Sequence, residues 1–209
     1  MIISLPIGLV NSNIYLVYDE AQRDGAIVDT GGNHQLITPE IKQRRLNIHY
    51  ILNTHGHFDH IAANAPLKAA YPVPLGLHLA DRELLLSGGG ATLFGLAYDP
   101  SPPPELELTD GLTLQVGNWE LQIIHTPGHT PGSVCIYLPG KQALLTGDTL
   151  FAGSVGRTDL PGGNARQLMA SLRRLLALPP ETVIYPGHGP CSTLAREWQE
   201  NPWLRKLGQ

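Results

Sequence analysis

Sulfur is scarce in this chain. Two cysteines, Cys135 and Cys191, in 209 residues exclude a disulfide framework and leave too few thiolates for a zinc finger or an iron–sulfur cluster. Basic charge is also thin. Fourteen lysines and arginines against 18 acidic residues give a formal charge of -4, and adjacent pairs such as Arg44-Arg45 and Arg173-Arg174 are scattered. No basic stripe of the kind that tracks a phosphate backbone results, so no nucleic-acid partner is expected. No apolar run reaches the roughly 20 residues a bilayer requires, so no membrane partner is expected either. The opening MIISLPIGLVNSN lacks a basic start and a small-residue cleavage site. It reads as a first strand, and a cytoplasmic location is the expectation.

What is present is a chain long enough to bury roughly 70% of its unfolded surface without staples. The pattern predicts a single domain over residues 1–209, with no clear linker. Asn13 to Tyr18 and Gly25 to Asp29 read as two strands of a long-looped hairpin. His34 to Leu46 and Ile61 to Tyr71 have helical spacing, and His49 to Leu52 is a short strand between them. Residues 87–104, SGGGATLFGLAYDPSPPP, interrupt the pattern with glycines and prolines. They are either a connector or a loop over a cleft. Further strands follow at Leu112 to Val116, Trp119 to Ile124, Val134 to Leu138, Ala143 to Leu145 and Thr182 to Tyr185. Helices are expected from Ala165 to Leu178 and from Leu194 to Leu207, with Trp198 and Trp203 packing on the core, or else on a partner. Two sheets with helices outside them is the natural packing of such an α/β chain.

The chemistry is concentrated in Asn53-Thr54-His55-Gly56-His57-Phe58-Asp59-His60. His55 and His57, two apart on extended chain, project to the same side. Asp59 and His60 come round as a helix begins, with Asp59 as a candidate N-cap. Three other strands end near a ligand-type residue: His129, Asp148 and His188. The carboxyl ends of strands in layered α/β folds are where ligands usually bind. Seven groups are too many for one zinc-type ion, which takes three or four protein ligands. With one carboxylate bridging they suit two divalent ions. Imidazoles and carboxylates without thiolate fit zinc best, with iron or manganese as alternatives. His34, His49 and His78 read as ordinary surface or hydrogen-bonded histidines, and His125 as a supporting residue or strand-end packing. Cys135 reads as buried packing.

The HxHxDH of residues 55–60, together with His129, Asp148 and His188, resembles the metallo-β-lactamase superfamily. Thr126-Pro-Gly-His-Thr-Pro-Gly-Ser133, the segment from Gly147 to Asp159, and Pro186-Gly-His-Gly-Pro190 look like its short, single-domain glyoxalase II branch. The resemblance covers essentially the whole chain and implies an αββα sandwich with two mixed sheets. It implies that His55, His57 and His129 hold one ion, that Asp59, His60 and His188 hold the other, and that Asp148 bridges them. A hydroxide shared by the ions and flanked by Asp59 and Asp148 would then attack an acyl-thioester such as S-D-lactoylglutathione. Where long glyoxalase II enzymes place a lysine and a tyrosine for the glutathione carboxylate, this chain has Gly156-Arg157-Thr158-Asp159. Arg157 is therefore either a substrate anchor or the partner of Asp159 in an internal ion pair. Gly-Arg-Thr-Asp also resembles persulfide dioxygenases, which would use one iron on His55, His129 and Asp148. The resemblance leaves the oligomeric state open.

Overall fold

The computed structural model describes residues 1–6 and 10–206. The first sheet runs in spatial order β1 (Ile2–Pro6), β2 (Asn13–Tyr18), β3 (Asp24–Val28), β4 (Asn47–Leu52), β5 (Leu75–Leu77) and β6 (Leu106–Glu107). Its first three strands are antiparallel and the remaining pairings are parallel. Parallel neighbours need crossovers, and α1 (His34–Arg44), α2 (Phe58–Ile61), α3 (Asn64–Ala70) and α4 (Arg82–Leu86) supply them.

The second sheet contains β7 (Thr113–Val116), β8 (Trp119–His125), β9 (Val134–Leu138) and β10 (Ala143–Gly147) as an antiparallel meander. A small hairpin of β11 (Leu150–Phe151) and β12 (Ser154–Val155) follows. Then come α5 (Ala165–Leu175), β13 (Val183–Pro186), β14 (Ser192–Thr193), α6 (Leu194–Glu200) and α7 (Pro202–Arg205). β13 pairs parallel with β10, and β14 closes that edge.

The period of two along each strand explains the layering. In β2, Tyr15 and Val17 face the second sheet and meet Leu121, Ile123, Ile136 and Leu145. Ile14, Leu16 and Tyr18 face outward and pack with Ile37 and Ile41 of α1. In β9, Val134, Ile136 and Leu138 line the inter-sheet core, whereas Cys135 and Tyr137 lie under Leu168 and Leu172 of α5. Strands buried on both faces carry continuous apolar runs, which is why these stretches show no polar alternation. The result is the expected αββα sandwich of two mixed sheets.

The sequence-based expectations differ from the structure at helix ends. α1 stops at Arg44 because Arg45 takes a left-handed conformation, φ 54°. The helix expected from Ile61 to Tyr71 is two short helices, α2 and α3, broken at Ala62 and Ala63. α5 ends at Leu175 rather than Leu178. The last expected helix is broken at Asn201, whose side chain caps α7, and its final position, 207, lies outside the described residues. Trp198 and Trp203 do not pack inward: each keeps nearly half its surface exposed, and Leu194 and Leu204 fill the core instead.

Leu172 is fully buried where α5 meets the second sheet. Leu172→Ala is expected to lower unfolding free energy by about 2–5 kcal/mol, from lost transfer energy and the cavity left behind. Urea denaturation followed by circular dichroism measures it, and a loss below about 0.5 kcal/mol would show that α5 contributes little to the core.

Candidate metal centre

Strand direction sets the site. β8 and β10 both run antiparallel to β9, and β13 runs parallel to β10, so all three end at one edge of the second sheet. His129, Asp148 and His188 lie just past those ends. β4 ends at Leu52 on the facing sheet, and the turn that follows carries His55 and His57. Two backbone ties hold the sheets' ends together: Val134 N–H donates to the Thr54 carbonyl at 2.8 Å, and Asn13 N–H to the Gly187 carbonyl at 2.7 Å. Asp59 is not the N-cap expected of it. His57 occupies that position without a side-chain cap bond, and Asp59 lies inside α2 with its carboxylate turned into the site.

All seven candidate ligands converge. His55, His57 and His129 present ligand atoms within 4.8 Å of one another, as do Asp59, His60 and His188. His55, His60 and Asp148 form a third such group that joins the first two. His57 Nδ1 lies 2.9 Å from His129 Nε2, and His188 Nε2 lies 3.1 Å from Asp59 Oδ2. Asp148 sits between the sets: Oδ1 is 3.3 Å from His60 Nε2, and Oδ2 is 3.6 Å from both His129 Nε2 and His188 Nε2.

The donor set fits divalent cations on the chain's own atoms. His55 Nε2 and Asp148 Oδ1 are buried with no hydrogen-bond partner. Orphaned polar atoms of this kind are costly in a protein interior unless something pairs with them. The other ring nitrogens are already committed outward. His60 Nδ1 donates to Asp29 Oδ2 at 2.9 Å, and His129 Nδ1 donates to the Arg157 carbonyl at 2.8 Å. The His129 bond fixes that ring's tautomer, whereas the carboxylates around His60 favour its doubly protonated ring, whose Nε2 proton a cation would displace. Gly187 lacks a side chain for a local reason: a Cβ there would overlap Asp148 Oδ1 and His60 Cε1.

Two buried carboxylates that sequence reasoning passes over organise these loops. Asp29 accepts from Thr54 N–H and Thr54 Oγ1, both at 2.8 Å, as well as from His60. Asp81 accepts from Gly56 N–H at 2.9 Å, Gly132 N–H at 2.6 Å and Thr130 Oγ1 at 2.7 Å. It thereby clamps the His55–His57 turn to the His129 turn. Asp29 follows a strand as Asp148 does, a signal that could have singled it out. Asp81 has no local signal, because its partners are distant in sequence.

The charges divide in a physically sensible way. Burial, aided by neighbouring imidazoles, holds His55 well below the ordinary histidine range, and burial with His129 brings His57 down to about 4. Burial disfavours charge on His60 too, but Asp59, Asp148 and Asp29 outweigh it and hold that imidazole well above its ordinary value. Burial likewise opposes ionisation of Asp148, and His60, His129 and His188 overcome it and lower the carboxyl. His55 and His57 are thus in the neutral form and Asp148 in the anionic form that metals bind.

The histidines assigned no metal role stay outside the cluster. His49 bonds Asp24 at 2.7 Å, and His78 stacks on His125 with ring centroids 4.0 Å apart. His125 also reaches the Pro131 carbonyl, in keeping with a supporting role. A cleft of about 460 Å³ opens over the ligands, walled by Phe58, Phe94, Leu96, Phe151, Val155, Leu160 and Arg157. Phe94 and Leu96 come from the 87–104 segment, so that segment is a cleft wall and not only a connector. A larger cavity, about 550 Å³, lies on the other side of Phe58 and borders none of the seven ligands.

Residues 7–188 match the sequence profile described as Metallo-beta-lactamase superfamily. The chain belongs to that superfamily. It is 35% identical over 204 residues to "Hydroxyacylglutathione hydrolase GloC" of Haemophilus influenzae, covering 96% of each chain. The solved structure "BLEG-1 B3 metallo-beta-lactamase" is similar at TM-score 0.92 and 36% identity, with 98% of this chain and 99% of that one covered. "TTHA1623 in a di-iron-bound form" is similar at TM-score 0.89 and 40% identity, with 97% and 100% covered. Membership and the His/Asp cluster together make the chain a metal-binding hydrolase.

Asp29→Ala is expected to weaken metal binding about 10- to 100-fold, because His60 loses the partner that anchors its ring. Competition titration against a chromophoric chelator reads this directly. Unchanged affinity would remove Asp29 from the account.

Proposed function

We propose that the chain hydrolyses acyl-thioesters, with S-D-lactoylglutathione or a related hydroxyacyl-thiol as the reference substrate, using two divalent metal ions. The observation that carries this reading is the paired ligand set: two triads, with Asp148 between them and two buried ligand atoms that make no hydrogen bond within the chain. His55, His57 and His129 would hold one ion, Asp59, His60 and His188 the other, and Asp148 both. When bound, such ions make water acidic enough to serve as a nucleophile at neutral pH and polarise a carbonyl oxygen.

The chain's own residues do the rest. Asp29 and the Arg157 carbonyl anchor the His60 and His129 rings through Nδ1, so the Nε2 atoms need no reorientation during turnover. The aromatic and aliphatic cleft walls exclude bulk water and strengthen electrostatic effects inside. Asp59 and Asp148 are the carboxylates lining the cleft. A proton leaving the attacking water passes to one of their oxygens and then to the departing sulfur. The acyl C–S bond breaks, the water oxygen stays on the acyl carbon, and thiol and carboxylate leave. No serine or cysteine nucleophile is required: Cys135 is buried, and burial raises its thiol to about 11.

The one-iron dioxygenase alternative would use only His55, His129 and Asp148, leaving His57, Asp59, His60 and His188 without a task. The similarity to a B3 β-lactamase structure makes a β-lactam the appropriate third substrate to test.

The metal-loaded protein is expected to contain about two metal equivalents and to release thiol from acyl-thioesters. Elemental analysis alongside a panel of thioester, glutathione persulfide and cephalosporin checks both. One iron with oxygen uptake on the persulfide would replace this reading with the dioxygenase. Asp148→Ala is expected to lose both metals, since one carboxylate serves each set. Tight retention of a single equivalent would refute the bridge.

A further inference from the structure

We infer that the cleft selects thioesters that are apolar and uncharged along the Arg157 wall, and that Asp159 is the specificity determinant because it withholds Arg157 from substrate carboxylates. The inference rests on the thioesterase reading and shifts its substrate class toward neutral thiols, ranking S-D-lactoylglutathione below them.

The cleft walls carry it. Apart from the metal-ligand residues, the described residues lining the cleft are apolar, with Arg157 as the one Lys or Arg among them. Phe58 and Phe94 lie with ring centroids 5.5 Å apart. Phe94 is 49% exposed and Leu96 38% exposed, beside the metal ligands. An apolar acyl arm laid across them removes that surface from water, which is the driving force such a wall offers. A charged arm gains nothing there and loses hydration.

Arg157 would be the natural partner for a carboxylate, yet its Nε/Nη2 edge is taken. Arg157 Nε donates to Asp159 Oδ1 and Nη2 to Asp159 Oδ2, both at 2.7 Å. An incoming carboxylate is left the Nη1 side of a guanidinium whose charge Asp159 already balances. Asp159 is only two residues away on a backbone that is itself pinned, because the Arg157 carbonyl holds His129 Nδ1. A tethered competitor acts at high effective concentration. Arg157 holds the Asp159 carboxyl down to about 2, so the competitor is ionised across the working pH range. The pair presents no net charge, and an anionic arm would meet the repulsion of Asp159 together with the attraction of Arg157.

The test uses the metal-loaded full chain with hexanoyl and acetyl thioesters of two thiols, glutathione and the neutral N-acetylcysteamine. Wild type is expected to favour the hexanoyl N-acetylcysteamine thioester over its glutathione counterpart in kcat/KM. Asp159→Asn is expected to shift that ratio about three- to tenfold toward glutathione, and the shift is expected to shrink at about 0.5 M salt, where exposed charges are screened. Phe94→Ala is expected to lower the hexanoyl-to-acetyl ratio about tenfold. Binding of the unreactive S-hexyl thioethers of the same thiols, measured by calorimetry, is expected to follow the same order. A wild-type preference for glutathione, or a ratio unmoved by Asp159→Asn, overturns the inference. Absence of turnover on every thioester, with the thioether order as expected, refutes the thioesterase reading and leaves the selectivity intact.

Discussion

Five imidazoles and two carboxylates aim ligand atoms at one another at the floor of the cleft, most of them buried. Two of these buried atoms, His55 Nε2 and Asp148 Oδ1, make no hydrogen bond within the chain, which is costly. Such a set suits cations, and the rest of the fold holds it in place. Strands rigid enough to be buried on both faces deliver each ligand at a sheet edge. Asp29 and Asp81 then lock the turns in which the ligands sit. The side chains stay close because the two packed sheets leave them no other place to go.

Much of this is legible in the sequence because the ligands follow strands. Apolar runs ending in His or Asp mark β4, β8, β10 and β13, and the HxHxDH spacing by itself groups four ligands. The sandwich follows from helices alternating with buried strands. What the sequence hides is long-range. Asp81 acts through Gly56, Thr130 and Gly132, which are 25, 49 and 51 residues away. Periodicity also overstates the helices. The break between α2 and α3 falls at Ala62-Ala63, and Pro66, four residues after Ala62, is its local signal: it has no N–H for the Ala62 carbonyl and fits only in the first turn of α3. Hydrophobicity alone places Trp198 and Trp203 inside, yet α6 and α7 turn Leu194 and Leu204 inward instead. The choice between anchor and ion pair for Arg157 depends on side-chain geometry, since both readings use the same residues.

The superfamily relation constrains fold and metal chemistry more tightly than it constrains substrate. One scaffold hosts several reactions, and what differs among them lies in the walls around a common centre. In this chain those walls come from the 87–104 segment and from the stretch that includes Val155, Arg157 and Leu160, both of them loop or edge structure. Neither belongs to the inter-sheet core, so each is able to change without disturbing the packing of Tyr15, Ile123 or Leu145.

The bond from His129 Nδ1 to Arg157 is made by the backbone carbonyl, not by the guanidinium. His129, a candidate metal ligand, is therefore indifferent to which side chain occupies position 157. A lineage is free to swap that side chain while the hydrogen bond that sets His129 is inherited intact. Evolvability at the mouth of the site is secured by an atom that every amino acid possesses.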